Sequence, residues 1–464
     1  MNTTYSKFIN EEEIAGILDL NQKPTPSKVR YVLSKAKEMK GLNLEDVAVL
    51  THISDSMQLF ELFETANHIK EKVYGKRLVI FAPLYISNFC SNECTYCAFR
   101  TKNDLIVRRS LSQAEIVLKT EKLIREGHRR VLLVANDLDA NNNFQYLLDS
   151  IHSIYGAKVG KGGIRRVNIN ASPLEIEEFK LLRDAKIGTY QLFQETYHRE
   201  TYREVHLEGK KTDYEFRITS LHRAMEAGIE NVGTGVLFGL YNFRFELLAL
   251  MQHIKELETV FGIGPHTISI PRIQPATGSN FASHPPFAVS DLNYRKIIAI
   301  LRLAVPYTGI IMSTRESAIM RRESFALGVS QISAGSHTNI GEINQNIQDD
   351  KSECSLGDHR SLDEVVRDVA EMGYIPSFCN SCHRLGRTGL DFMDMAKPGD
   401  IKNHCNPNAI STFQEYLMDY ASYQTRLIGE DLIDDVMDSM EGSARERAFL
   451  LLEKVKKGKR DIYC

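Results

Sequence analysis

Residues 78–97 read LVIFAPLYISNFCSNECTYC. Leu78 to Ile86 is an apolar run of strand length, and Cys90-x3-Cys94-x2-Cys97 follows it at once. Toward the C-terminus, short apolar runs alternate with longer helical patterns, which marks repeated βα units around a parallel sheet. Seven further strands are expected at Val131–Ala135, Val167–Asn170, Thr189–Phe193, Val232–Leu237, Thr267–Pro271, Gly309–Met312 and Val329–Ser333. Helical patterns separate them, near Ser112–Glu126, Asn143–Ile154, Leu174–Asp184, Asp213–Ala227, Phe245–Val260, Asp291–Leu303 and Arg315–Leu327. Eight strands with seven intervening helices predict an α/β fold of the (β/α)8 TIM-barrel type over residues 76–335, in preference to an open doubly wound sheet.

The flanks read differently. Residues 1–75 carry apolar positions at helical spacing, Ile14, Ile17 and Leu18, then Val29, Val32 and Leu33, with Ser54 and Asp55 placed to cap a helix reaching Tyr74. They predict an N-terminal helical extension. Residues 336–464 begin polar and poorly periodic, pass through a helix at Leu362–Met372 and a Gly- and Asn-rich stretch, and become helical again from Ser411 to about Val455. This mainly helical C-terminal domain is expected beside or over the barrel mouth.

Composition narrows the class. Of 464 residues, 43% are hydrophobic and 25% charged, with 29 Gly and 13 Pro, as in an ordinary globular chain. A net charge of −3 gives no electrostatic reason to expect nucleic acid or an anionic membrane as partner. The polar, acidic start has no secretory pattern, and Arg302 interrupts the apolar run Ile297–Val305, so a cytoplasmic protein without a membrane span is expected.

Eight cysteines in such a compartment are thiols, and six of them fall into two trios: Cys90, Cys94, Cys97 and Cys379, Cys382, Cys405. In a barrel the first trio lies on the catalytic face, just past strand one. Three thiolates on one short loop can each bind a different iron of a 4Fe–4S cluster and leave the fourth iron open to a ligand. Zinc would be one ligand short there. At the second trio, Cys379-x2-Cys382-x22-Cys405, a zinc site completed by His383 or His404 stays open beside the cluster reading. Cys354 and Cys464 stand alone and are read as non-ligands.

The first trio resembles the CxxxCxxC loop of the radical S-adenosylmethionine (SAM) superfamily. That resemblance implies SAM bound at the open iron and cleaved reductively to a 5′-deoxyadenosyl radical. It assigns Tyr96, between the second and third cysteines, to the adenine side, and Asp137, in Val134-Ala135-Asn136-Asp137, to the place where related enzymes carry a Gly-Glu element near the methionyl amino group. The two trios together, with Phe81-Ala82-Pro83-Leu84-Tyr85, Gly188-Thr189-Tyr190, Phe193-Gln194-Glu195-Thr196-Tyr197-His198, Gly264-Pro265-His266, Ser313-Thr314-Arg315-Glu316 and Cys405-x-Pro407-Asn408-Ala409, resemble the HydG family of FeFe-hydrogenase maturation tyrosine lyases over nearly the whole chain. The 2-iminoacetate synthases of thiazole biosynthesis resemble the barrel and are not expected to carry the second trio.

The family resemblance implies cleavage of the Cα–Cβ bond of L-tyrosine to p-cresol and dehydroglycine. It further implies conversion of the fragment to carbon monoxide and cyanide on an auxiliary 4Fe–4S cluster with an additional iron. The implied partners are a one-electron reductant such as ferredoxin or flavodoxin and the other hydrogenase maturation proteins. Arg315 and Ser313, ending strand seven, are placed to clamp a substrate carboxylate. Glu195, after strand four, is placed to orient SAM or substrate. Tyr197 and His198 read more plainly as scaffold. Arg272, ending strand six, is expected to line the site, and His266, opening that strand, to reach the additional iron if the C-terminal extension folds toward it. A radical SAM lyase of a paralogous pathway and a non-radical cluster scaffold are the competing readings.

Overall fold

The computed structural model describes residues 7–137, 143–335, 340, 353–385, 389 and 402–464. Eight parallel strands appear where the apolar runs put them: β1 Arg77–Tyr85, β2 Arg130–Val134, β3 Arg166–Asn170, β4 Tyr190–Gln191, β5 Val232–Gly235, β6 Thr267–Ser269, β7 Gly309–Met312 and β8 Gln331–Ser333. They pair in that order, and β8 closes on β1 through Val79↔Gln331, Ile80↔Ile332 and Phe81↔Ser333. The sheet is therefore a (β/α)8 barrel, with helices such as Gln113–Glu126, Phe243–Phe261 and Asp291–Ala304 outside it.

Side chains alternate along each strand, so one row of β1 faces the bore from end to end. Arg77 and Val79 line a cavity at the lower, N-terminal end of the strands, while Phe81, Pro83 and Tyr85 line another at the upper end. Between the two, Phe81, Leu132 and Ile311 pack into a small apolar cluster that forms a waist. Polar interior residues thus sit at both ends of a bore that these apolar side chains narrow.

The N-terminal extension comprises α1 Glu11–Leu20, α2 Pro26–Ala36, α3 Leu44–Thr51 and α4 Ser56–Tyr74. The predicted stripe is buried at Ile14, Ile17, Val29, Val32 and Leu33, and Asp55 caps α4 by accepting from the Met57 and Gln58 amides, both at 3.0 Å. These helices share one core with the barrel. Lys296 fastens them, donating to the carbonyls of Thr51 and Ile53 at 2.8 and 2.7 Å.

The C-terminal segment corrects the sequence expectation. Residues 353–358 do reach the barrel mouth, but from Ile375 onward the chain lies at the floor, where a ninth strand, β9 Ile375–Ser377, pairs with the first residues of β1 (Arg77↔Ile375, Val79↔Ser377). The second trio is carried beneath the barrel and not over its mouth. The following helix begins at Lys402 instead of Ser411, so Cys405 and Pro407 are helical. Pro407 has no amide proton for the carbonyl of Asn403, and Arg447 from the last helix donates to that carbonyl at 3.0 Å. Among the described residues, no helix is long and apolar enough to cross a membrane.

Candidate active site

The loop bearing Cys90, Cys94 and Cys97 is held rigidly. Glu93–Cys94 pairs antiparallel with His206–Glu208, the Thr95 amide donates to Val205 at 2.9 Å, and Arg100 binds Glu93 at 2.6 Å. The three cysteines line one upper cavity. Two donors already point at sulfur: the Phe99 amide lies 3.3 Å from Cys97 Sγ and Asn92 Nδ2 lies 3.6 Å from Cys90 Sγ. Burial pushes all three thiols up, Cys94 to about 12, so they need a bound cation to become thiolates.

Tyr96, Asp137 and Glu195 face the same cavity. Asn92 joins the loop to them, donating to Asp137 and accepting from the Lys211 amide at 2.8 Å. Glu195 stands in a left-handed backbone conformation, φ 72°, costly for a residue with a Cβ and consistent with a position fixed from outside. Two features fix it. Glu246, buried in the helix behind, accepts from the Thr196 hydroxyl and from the Tyr197 amide at 2.9 Å, and Glu195 itself binds Lys211 at 2.7 Å and Arg217 at 3.3 Å. Burial raises the Glu195 carboxyl, but Lys211 and Arg217 outweigh it and hold the pKa below the usual value. Lys211 also donates to the Tyr96 hydroxyl at 2.9 Å.

Tyr197 and His198 belong to the scaffold. The Tyr197 hydroxyl meets His253 Nδ1 at 2.8 Å, outside the cavity, and His198 caps the helix Arg199–Val205 while stacking on Tyr241 at 3.8 Å.

Ser313 and Arg315 line the opposite wall. A short strap, residues 353–358, crosses the mouth there: the Ser355 amide donates to Pro275, and the Gly357 and Asp358 amides both donate to Thr314. Glu353 on this strap receives Arg315 at 3.0 Å and the Tyr85 hydroxyl at 2.9 Å. Cys354 also faces the cavity, its thiol raised to about 11 by burial. Arg272 does not line it. Ser269 and Pro271 take the inward positions of that strand, so Arg272 faces the other way, toward Glu316 at 3.0 Å and Asp291 at 2.8 Å.

At the floor, Cys379, Cys382, Cys405 and His266 line the lower cavity together with Arg77, Arg130 and Arg166. Cys382 donates to Cys405, and that bond, with the nearby Arg77, pulls the Cys405 thiol below the usual thiol value while Cys382 is pushed up. The Ser381 amide lies 3.5 Å from Cys379 Sγ. Cys464 is tied alongside through its backbone, donating to and accepting from Asn408 at 2.9 and 3.1 Å. The side chain of His383 lies outside the described residues. Among the described residues no three His, Cys, Asp or Glu side chains are grouped to hold a single metal ion.

Comparison with known proteins agrees with this geometry. Residues 84–254 match the model of the radical SAM superfamily, and residues 269–375 match the biotin and thiamin synthesis associated domain. The superfamily implies a 4Fe–4S cluster and SAM, which the upper loop, with its three thiols and its donors to sulfur, fits. The 2-iminoacetate synthase of Escherichia coli (strain K12) is 27% identical over 76% of this chain and 92% of its own length. A HydG from Carboxydothermus hydrogenoformans, described as a FeFe-hydrogenase maturase, superposes with a TM-score of 0.85 at 36% identity, covering 97% of this chain and all of that one. Another solved HydG reaches a TM-score of 0.95 at 44% identity, covering 98% of this chain and 100% of its own. Identity at that level over 97–98% of the chain makes it a member of the HydG family of radical SAM enzymes.

Proposed function

We propose that this enzyme cleaves the Cα–Cβ bond of L-tyrosine to p-cresol and dehydroglycine at the upper site, and that the fragment becomes carbon monoxide and cyanide at an auxiliary iron–sulfur cluster on the lower trio. The observation that carries the reading is the placement of two cysteine trios at opposite ends of one bore with an apolar waist between them. A 2-iminoacetate synthase needs only the upper end. The lower trio suits a cluster because its thiols sit among three buried guanidiniums, and buried cations call for an anionic partner.

A 4Fe–4S cluster with SAM at the upper trio supplies the 5′-deoxyadenosyl radical. The chain's own residues do the rest by binding and exclusion. Lys211, Arg217 and Glu195 form a mixed-charge cradle suited to a zwitterionic amino acid head, Tyr96 offers a ring face, and Asp137 offers a carboxylate to an ammonium. Arg315 and Ser313 hold the substrate carboxylate. The strap and the apolar waist keep water from a reactive carbon radical. His266, which lines the same lower cavity, would hold an additional iron there.

Anaerobic reconstitution followed by SAM, tyrosine and dithionite tests this. The expected products are 5′-deoxyadenosine, p-cresol and carbon monoxide trapped by deoxyhaemoglobin. Cys382→Ala should keep p-cresol and lose carbon monoxide, and Cys94→Ala should lose both. Deoxyadenosine without p-cresol would point to the paralogous lyase, and neither product to a scaffold without radical chemistry.

A further inference from the structure

The barrel floor gathers three guanidiniums around the same cavity as the second cysteine trio. Arg77, Arg130 and Arg166 open β1, β2 and β3 and are 7%, 7% and 4% exposed. Their partners are almost all neutral. Arg130 donates to Asn380 Oδ1 at 3.0 Å and to the Cys379 carbonyl at 2.9 Å. Arg166 donates to Asn168 Oδ1 and the Gly188 carbonyl, both at 3.0 Å, and to the Thr189 hydroxyl at 2.8 Å. Arg77 hydrogen-bonds to the Cys405 sulfur, while its Nε is buried without a hydrogen-bond partner. Among the described residues lining this cavity there is neither Asp nor Glu.

A buried charge costs several kcal/mol unless something of opposite sign accompanies it. Elsewhere Arg321 and Arg217 face Asp358 and Glu195, while Arg302, also fully buried, is satisfied singly by the carbonyls of Gly328, Pro306 and Thr308; the floor differs in gathering three guanidiniums around one cavity. With a cluster on the lower trio, three thiolates around an oxidised cubane core of charge two plus leave a single negative charge. Three guanidiniums then exceed it by two. An additional ferrous ion widens the excess.

We propose that Arg77, Arg130 and Arg166 form an anion subsite beside the auxiliary cluster, built to hold a compact monoanion of the carboxylate or cyanide class. This rests on the cluster reading of the lower trio and adds the ligand chemistry of its floor. Guanidinium forks suit a carboxylate, which they can grip at two oxygens, and their charge also retains a cyanide. The anion is either a carboxylate fragment descending the bore or cyanide formed on the floor.

The full-length Cys94→Ala protein, reconstituted anaerobically so that only the lower trio carries a cluster, separates the cases. It is titrated with glyoxylate and, separately, with cyanide, and the electron paramagnetic resonance (EPR) spectrum of the reduced cluster is the readout. The expected result is a saturable spectral change with at least one of them. Adding Arg77→Gln should weaken that apparent affinity at least tenfold, and Arg77→Lys should retain most of it. If Arg77→Gln lowers iron and sulfide content, Arg166→Gln, which touches no cysteine, carries the comparison instead. Saturation by glyoxylate alone identifies a carboxylate subsite, and by cyanide alone a cyanide subsite. Equal affinities in wild-type and Gln floors, or no saturable change with either anion, overturn the subsite while leaving the cluster in place. Failure of Cys94→Ala to bind any cluster overturns the underlying reading of the trio.

Discussion

Replacing Glu353 by glutamine removes one charge from the mouth of the bore and almost nothing else. Glutamine keeps an oxygen for the Tyr85 hydroxyl, but it no longer neutralises Arg315, which lies 3.0 Å away. If Arg315 grips the tyrosine carboxylate, every substrate molecule must first displace Glu353 from it. The gross attraction in such a pair is about 4 kcal/mol at an effective dielectric of about 20. The side chains are 17% and 30% exposed, so screening and ordering reduce the net value to about 1 kcal/mol. That corresponds to about a fivefold change in affinity. Because the competition acts on ground state and transition state alike, it belongs in KM and not in kcat. Glu353→Gln should therefore lower KM for tyrosine about fivefold, with kcat within about twofold of wild type, when initial rates of p-cresol release are measured across a tyrosine series. An unchanged KM would refute the competition, and a raised KM would make Glu353 a substrate contact.

The remaining predictions concern the supports of the two sites. Burial pushes Glu246 up to about 8 against the hydrogen bonds from Thr196 and Tyr197. An acid whose folded pKa is raised binds more protons when folded, so its contribution favours folding below about 4.5 and is lost between there and about 8 as pH rises. Glu246→Gln should flatten that slope, read as urea midpoints across the interval. Asp358→Asn leaves Arg321 buried with its counter-charge gone, both side chains being 1% exposed, and should cost about 3–5 kcal/mol by denaturant unfolding and loosen the strap. At Gly188 a Cβ would fall 2.3 Å from Arg166 Nε and 2.6 Å from Asn168 Oδ1. Gly188→Ala should cost about 1–3 kcal/mol, measured by denaturant unfolding.

The barrel was legible because each βα unit writes its period into nearby residues. The apolar runs located all eight strands, and the cysteine spacings marked the two trios. What escaped were relations across long sequence distances. Lys211 and Glu353 reach the upper cavity from connecting segments without a periodic signal, Glu353 meeting Tyr85 across 268 residues. The position of the lower trio depends on Ile375-Pro376-Ser377, a strand so short and proline-bearing that it reads as a loop. Arg272 illustrates a different limit: being at the right strand end does not decide which face a side chain takes, and one step of alternation turned it from the bore to Glu316.

The division of labour between the two ends of the bore is tested most directly by EPR of the dithionite-reduced, anaerobically reconstituted chain with and without SAM. Two cluster signals are predicted, one that shifts on adding SAM and disappears in Cys94→Ala, and one indifferent to SAM that disappears in Cys382→Ala. A single signal, or a SAM response that survives Cys94→Ala, would contradict the assignment of separate clusters to opposite ends of one barrel.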